Sequence, residues 1–126
     1  MDFMKKKESV LRDKSYRFAV RIVRLSQYLQ QEKKEFVLNK QILKSGTSIG
    51  ASIREAEYAQ SEADFINKFS ISLKEANETA YWLSLLKDTD YMEDKLYHSL
   101  FLDCDEIISM LVSTIKTMKN KKTLNS

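Results

Sequence analysis

One hundred and twenty-six residues contain no proline and only two glycines, and this scarcity of chain-breaking residues governs what the sequence can become. Strands need frequent turns, and turns draw on Gly and Pro. A chain so poorly supplied cannot be punctuated into an all-β or alternating α/β fold, which leaves the all-α class. Both glycines, Gly46 and Gly50, lie in Lys44–Glu55, a stretch that otherwise reads as helix. Each costs about 1 kcal/mol against alanine in a helix interior. With Ser45, Ser48, Ala51 and Ser52 around them, they describe a helix face trimmed for close backbone approach. Gly46, Ile49, Gly50 and Ile53 are therefore the expected helix-packing residues, directed at the third helix or at a neighbouring subunit.

Hydrophobic residues at 43% and charged residues at 31% suit a helical domain that buries a core without disulfides or metals. The length predicts one domain, 1–126. Apolar periodicity predicts helices over about 14–31, 37–59, 61–87 and 94–119. Ser61, with Asp64 three residues on, reads as the N-cap of the third. The short connections make neighbours antiparallel, so the expected fold is an antiparallel up-down-up-down four-helix bundle.

The fourth helix is a plain amphipath, with Leu96, Leu100, Cys104, Ile107, Ile108, Leu111 and Ile115 on one face. The first is less ordinary. Phe18, Ile22, Leu25 and Leu29 form one apolar stripe, and Tyr16, Ala19, Val20 and Val23 form a second beside it. Lys14, Arg17, Arg21 and Arg24 crowd the remaining arc with Tyr28. On the third helix Ile71, Trp82 and Leu85 lie outside the core stripe, beside Glu75 and Glu78. Apolar surface in excess of one core marks an interface. Two complementary but different surfaces imply a heterologous contact; one that closes makes a ring, so a cyclic homo-oligomer is expected. The expected subunit contacts are Tyr16, Val20 and Val23 on one side and Ile71, Glu75, Glu78 and Trp82 on the other. The same pairing could also form within one subunit.

Catalytic and metal constellations are missing. His98 is the sole histidine and Cys104 the sole cysteine, and they diverge on their helix. No Glu-x-x-His pair suits a di-iron bundle, no Cys/His cluster suits zinc, and no glycine-rich phosphate loop is present. The carboxylates Glu55, Glu57, Glu62 and Asp64 read as solvated helix ends. No catalytic residue, metal or cofactor is expected. Cys104 reads as a small buried hydrophobe. No apolar run reaches the ~18 residues of a membrane span. The first residues lack the apolar segment of a secretory signal, so a cytoplasmic location is expected.

The stretches Phe18–Leu25 (Phe-Ala-Val-Arg-Ile-Val-Arg-Leu), Gln41–Ala56, which contains Ser-Gly-Thr-Ser-Ile-Gly, and Phe65–Leu83 resemble the bacterial four-helix-bundle family, also called the 23S rRNA intervening sequence protein or S23 family. The resemblance covers roughly residues 12–118. It implies an up-down four-helix bundle assembled as a homopentameric ring, without established enzymatic activity. Members are encoded in intervening sequences of some 23S rRNA genes and elsewhere in bacterial genomes. A related accessory protein of diversity-generating retroelements works with a reverse transcriptase and nucleic acid. Lys44 and Ser52 depart from the arginine and asparagine usual at their positions. Loss of a forked arginine weakens specific anion recognition there.

Charge is unevenly spread. Residues 1–35 hold ten basic against five acidic residues, residues 61–90 hold three against six, and the tail Lys116–Ser126 has four lysines and no acid. Two functions follow. One is a non-catalytic oligomeric scaffold that docks a protein partner. The other is a nucleic-acid accessory protein that binds RNA or DNA through Lys14, Arg17, Arg21 and Arg24, repeated around the ring. In a third arrangement these arginines pair with Glu75 and Glu78 of a neighbour.

Overall fold

The computed structural model describes residues 2–124, with side chains over 5–121. Among these the chain forms α1 (Asp2–Gln31), α2 (Val37–Ala56), α3 (Glu62–Asp88) and α4 (Asp94–Leu124), and no strand. The last side chains of the basic tail, including Lys122, lie outside the described residues.

The ends of the helices follow from local chemistry. Ser61 is extended, and its hydroxyl accepts a hydrogen bond from the Asp64 amide at 3.0 Å. The Asp64 carboxylate reaches back to the Gln60 amide at 3.2 Å, so the cap works in both directions. α2 stops at Ala56 rather than the expected Ala59. Successive amides of Glu57, Tyr58 and Ala59 bond to carbonyls three residues back, at 3.0–3.2 Å, which tightens the last turn and ends the helix. α1 begins at Asp2, twelve residues before the expected Lys14. The Lys and Glu residues of 5–8 favour helix, and Leu11, one register step before Phe18, is fully buried. Packing thus carries α1 through the charge run. α4 likewise runs past Lys119, with Ile115 and Met118 buried near its end.

Neither glycine serves a turn. The α1–α2 and α3–α4 connections close instead through left-handed Lys34 (φ 54°) and Asp90 (φ 68°). Beyond each, an amide reaches back to the departing helix: Glu35 to the Leu29 carbonyl and Tyr91 to that of Leu86, both at 2.9 Å. A left-handed non-glycine costs roughly 1–2 kcal/mol.

Each helix packs on its neighbours in the order α1–α2–α3–α4–α1, while Cα atoms of α1 and α3, or of α2 and α4, nowhere approach within 8 Å among the described residues. Phe18, Ile22, Ile42, Ile49, Ile53, Phe69, Leu83, Leu100, Ile107 and Leu111 form the centre of the core. The seams differ in chemistry. Between α2 and α3, the Ser72 hydroxyl donates to the Ile49 carbonyl and the hydroxyls of Thr79 and Ser45 hydrogen-bond, both at 2.9 Å and both buried. Between α1 and α4, Lys7 donates to Ser113 at 2.6 Å, Lys14 pairs with Glu106, and Arg21 pairs with Asp103 at 2.6 Å. Partner numbers rise along α1 as they fall along α4.

The seam between α1 and α2 is where the glycines act, which corrects the expectation that they face α3 or another subunit. A Cβ on Gly46 would lie 2.8 Å from both Cγ1 and Cγ2 of Ile22. These atoms sit on a β-branched side chain buried on every side and cannot swing away. A Cβ on Gly50 would meet Ser15 Oγ at 3.3 Å, a tight contact that a shift of a few tenths of an ångström relieves, and the Ser15 carbonyl at 3.5 Å, an ordinary one. Gly46→Ala is therefore expected to destabilise the protein by about 1–2 kcal/mol, overpacking outweighing the gain in helix propensity. Gly50→Ala should be neutral or stabilise by up to about 1 kcal/mol. Urea unfolding of both variants measures the contrast. In a double-mutant cycle, the penalties of Gly46→Ala and Ile22→Ala should sum to less than their parts.

Candidate interaction surface

Three arcs divide the circumference of α1. One is the buried stripe of Leu11, Phe18, Ile22, Leu25 and Leu29. The second carries Tyr16, Ala19, Val20 and Val23. Here Tyr16 is 62% exposed and both valines are 39% exposed, so this stripe finds no full cover among the described residues. It continues onto α2. Ser15, Tyr16 and Ala19 of α1 and Thr47, Gly50 and Ala51 of α2 line an open groove of ≈ 260 Å³ flanked by Arg12 and Arg54. The small side chains make the floor low. Ala51 was expected on the face trimmed for close approach, but that it lines an open groove with α1 was not legible, because helical period gives a residue's face and not what stands across from it.

The third arc is basic. Within the chain it meets acids on α4, not Glu75 and Glu78 of α3. Lys14 pairs with Glu106, and Arg21 bonds to Asp103 and, at 2.9 Å, to the Ser99 hydroxyl. Asp103 has no role in the sequence reading, since its partner lies 82 positions away. The spacing of Asp103 and Glu106 on one flank of α4 is the available signal. These pairs are about a third or more exposed, so each contributes at most about 1 kcal/mol. Arg17 and Arg24 are exposed and make no ion pair with the described residues.

On α3, Ile71 is exposed and Glu75 and Glu78 are half-buried. Trp82, expected on the surface, is half-buried and packs on the core, and Leu85 is half-buried too. The Trp82 indole N–H is enclosed without an acceptor. The exposed aromatic is Tyr81, edge-on to Trp82 with centroids 5.0 Å apart. An indole is large enough to reach the core from a flanking helix position, and angular position alone misses that.

The remaining candidates are structural. Arg12 holds Glu57 at 3.1 Å, Lys68 meets Glu55 at 3.5 Å, and Lys121 meets Glu62 at 3.8 Å. Burial, and then the charge of Glu57, pushes the Glu8 carboxyl above its usual range. His98 is exposed on the edge of Tyr97. No group of three or more His, Cys, Asp or Glu among the described residues could hold a metal ion, and no helix is long and apolar enough to cross a membrane. Cys104 is buried and its thiol donates to the Ala76 carbonyl at 3.3 Å.

The profile of 23S rRNA-intervening sequence proteins matches residues 7–113. A crystal structure of a protein with unknown function from the S23 ribosomal protein family of Bacteroides thetaiotaomicron is 61% identical in sequence, with a TM-score of 0.86. The match covers 87% of this chain and 98% of that one. Comparison with curated proteins gave no match.

Burial, followed by the charges of Asp105 and Asp103, pushes the Cys104 thiol from its usual 9.0 up to about 12. The unfolded chain loses this proton first as pH rises, so the stabilising preference is complete below pH 9.0 and is lost between there and about pH 12. Across that window wild-type stability should fall more steeply than that of Cys104→Ala, by up to about 1.4 kcal/mol per pH unit. Urea melts at stepped pH give the difference. A thiol reagent should label Cys104 only when the protein unfolds.

Proposed function

Because the chain belongs to the 23S rRNA-intervening sequence protein family, we propose that it is a non-catalytic, self-assembling interaction module. Its architecture in this reading is an antiparallel up-down-up-down four-helix bundle. Three α1–α4 pairs, Lys7 with Ser113, Lys14 with Glu106 and Arg21 with Asp103, support that order, since they run oppositely along the two helices. The observation that carries the proposal is the uncovered apolar stripe Tyr16, Val20 and Val23, continuous with the α1–α2 groove. Exposed apolar surface of this kind is buried by association.

In this reading the counter-surface is Ile71 with Glu75 and Glu78 on α3, whose carboxylates would meet Arg54 at the flank of the groove. Unlike surfaces pair head to tail, and such a contact makes a ring where its rotation closes; the family resemblance implies closure with five copies. A cytoplasmic setting suits a lone cysteine kept as a buried thiol. Lys14 and Arg21 already have partners on α4, which favours a protein over phosphate as the ligand of the module. A thiol held protonated, and carboxylates engaged in ion pairs and a helix cap, favour assembly over catalysis.

Light scattering over a concentration series is the test. The wild type should run at a multiple of 14.8 kDa, and Val20→Asp with Val23→Asp should return it to the single-chain mass. Both valines are surface-exposed, so the circular dichroism helix signal should survive. A monomeric wild type, or an unchanged mass in the double variant, rejects the assembly.

A further inference from the structure

The α1–α4 seam holds a feature that assembly through the opposite arc of α1 leaves unused. Two cavities open along it, and Arg21 stands between them. Arg21, Arg24 and Tyr28 of α1, with Leu25, Leu96 and Leu100, line one of ≈ 320 Å³. Lys14, Arg17, Phe18, Arg21, Asp103 and Ile107 line the other, of ≈ 290 Å³. Leu25 and Leu100 are buried and form an aliphatic floor, while Leu96 is exposed at the rim. Polar side chains bridge this seam at Lys7–Ser113, Lys14–Glu106 and Arg21–Asp103, and the grooves lie beside these bridges.

The charge on the rim is specific. Asp103 and Glu106 neutralise Arg21 and Lys14. Arg17 and Arg24 remain, exposed and unpaired with any described residue. They lie seven residues apart, two helical turns, about 10 Å along the axis. A helix laid along the seam repeats its own side chains at the same interval, so carboxylates at its positions i and i+7 would stand opposite both guanidiniums. If that helix runs parallel to α1, leucines at its positions i+8 and i+11 would project beyond the second carboxylate, into the cavity floored by Leu25 and Leu100.

The geometry points to this seam as the docking groove for an acidic amphipathic helix of a partner protein, with Arg17 and Arg24 clamping its carboxylates and the Leu25–Leu96–Leu100 cavity taking its apolar anchor. It is helix-in-groove recognition with a charged rim. Leu25, Leu96 and Leu100 suit a leucine side chain, and Tyr28, the aromatic of this lining, is the group on which a nucleobase would stack instead. The inference rests on the reading of the chain as a protein-interaction module, and not on the number of copies in the assembly.

The test uses the full-length protein and a synthetic fluorescent helical peptide with Glu at i and i+7 and Leu at i+8 and i+11. Controls replace both Glu by Lys, or both Leu by Ser. Saturable micromolar binding is expected, weaker at higher salt and lost in either control. Arg17→Glu with Arg24→Glu should weaken it roughly tenfold or more, as should Leu96→Glu. These sites are all exposed, and thermal melts confirm folding. The proposal is overturned by no binding, by equal binding of the Lys peptide, or by variants that bind as the wild type does. A single-stranded RNA that binds more tightly and displaces the peptide overturns it in favour of a nucleic-acid site. Mass measured on the same samples separates the two readings. Binding by a monomeric wild type upholds the groove while rejecting the ring, and a ring that ignores the peptide rejects the groove alone. Loss of the ring in the double arginine variant overturns the proposal by giving this arc to the contact between copies.

Discussion

Gly46 lies so close to Ile22 that the space of one methyl group separates the native arrangement from a clash. That contact fixes the depth at which α2 sits against α1, and with it the rotation of α1. Once Ile22 is seated over Gly46, Phe18, Leu25 and Leu29 must point into the core. Tyr16, Val20 and Val23 are then left on the flank of α2, and Arg17, Arg21 and Arg24 are turned towards α4. Two glycines inside a helix give up about 2 kcal/mol of helix propensity. Close packing along the seam offsets this, since dense contact is where dispersion energy accumulates. The functional surfaces follow from where α1 is held.

Each seam is made from different chemistry. α1–α2 is steric, α2–α3 adds the buried hydroxyls of Ser45, Ser72 and Thr79, and α1–α4 is bridged by charged side chains. A four-helix chain with interchangeable apolar faces could settle into more than one neighbour order. Unlike seams remove that degeneracy, because a swapped neighbour would bury an unpaired hydroxyl or confront a glycine with a gap. Asn39 fits this logic. It is buried in the first turn of α2 and both atoms of its side-chain amide lack a partner among the described residues. Such an amide costs roughly 1–3 kcal/mol, and specificity is the kind of return for which folds retain such groups.

Features set by neighbours in sequence were legible, and features set by neighbours in space were not. The Ser61–Asp64 cap and the burial of Leu100, Cys104, Ile107, Leu111 and Ile115 on α4 depend on spacing alone and stand in the structure, while Leu96 and Ile108, expected on the same face, are exposed and half-buried. The start of α1 was missed because Lys5–Lys7 read as a tail, whereas Leu11 at one further register step decides the matter. The glycine face was recognised but not its partner. Gly46 and Ile49 are both core-facing on α2, yet one looks to α1 and the other sits by Ser72 of α3. The basic arc was found, and its pairing with Asp103 and Glu106 was not, because no periodicity links positions some 80–90 apart.

That pairing changes what the basic arc can do. Four cations in a row would form a sequence-blind field suited to phosphates. Alternate neutralisation leaves two cations with a hydrophobic cavity beside them, a pattern that discriminates by geometry as much as by charge. Surface ion pairs contribute little to stability, so Asp103 and Glu106 matter more for shaping the field than for holding α4. They neutralise the first and third charges of the row, Lys14 and Arg21, and leave Arg17 and Arg24 two helical turns apart. In a ring, each copy would present the same pair at a fixed interval. A site too weak to act alone then gains from every further contact its partner can reach, through effective concentration and without any new interaction.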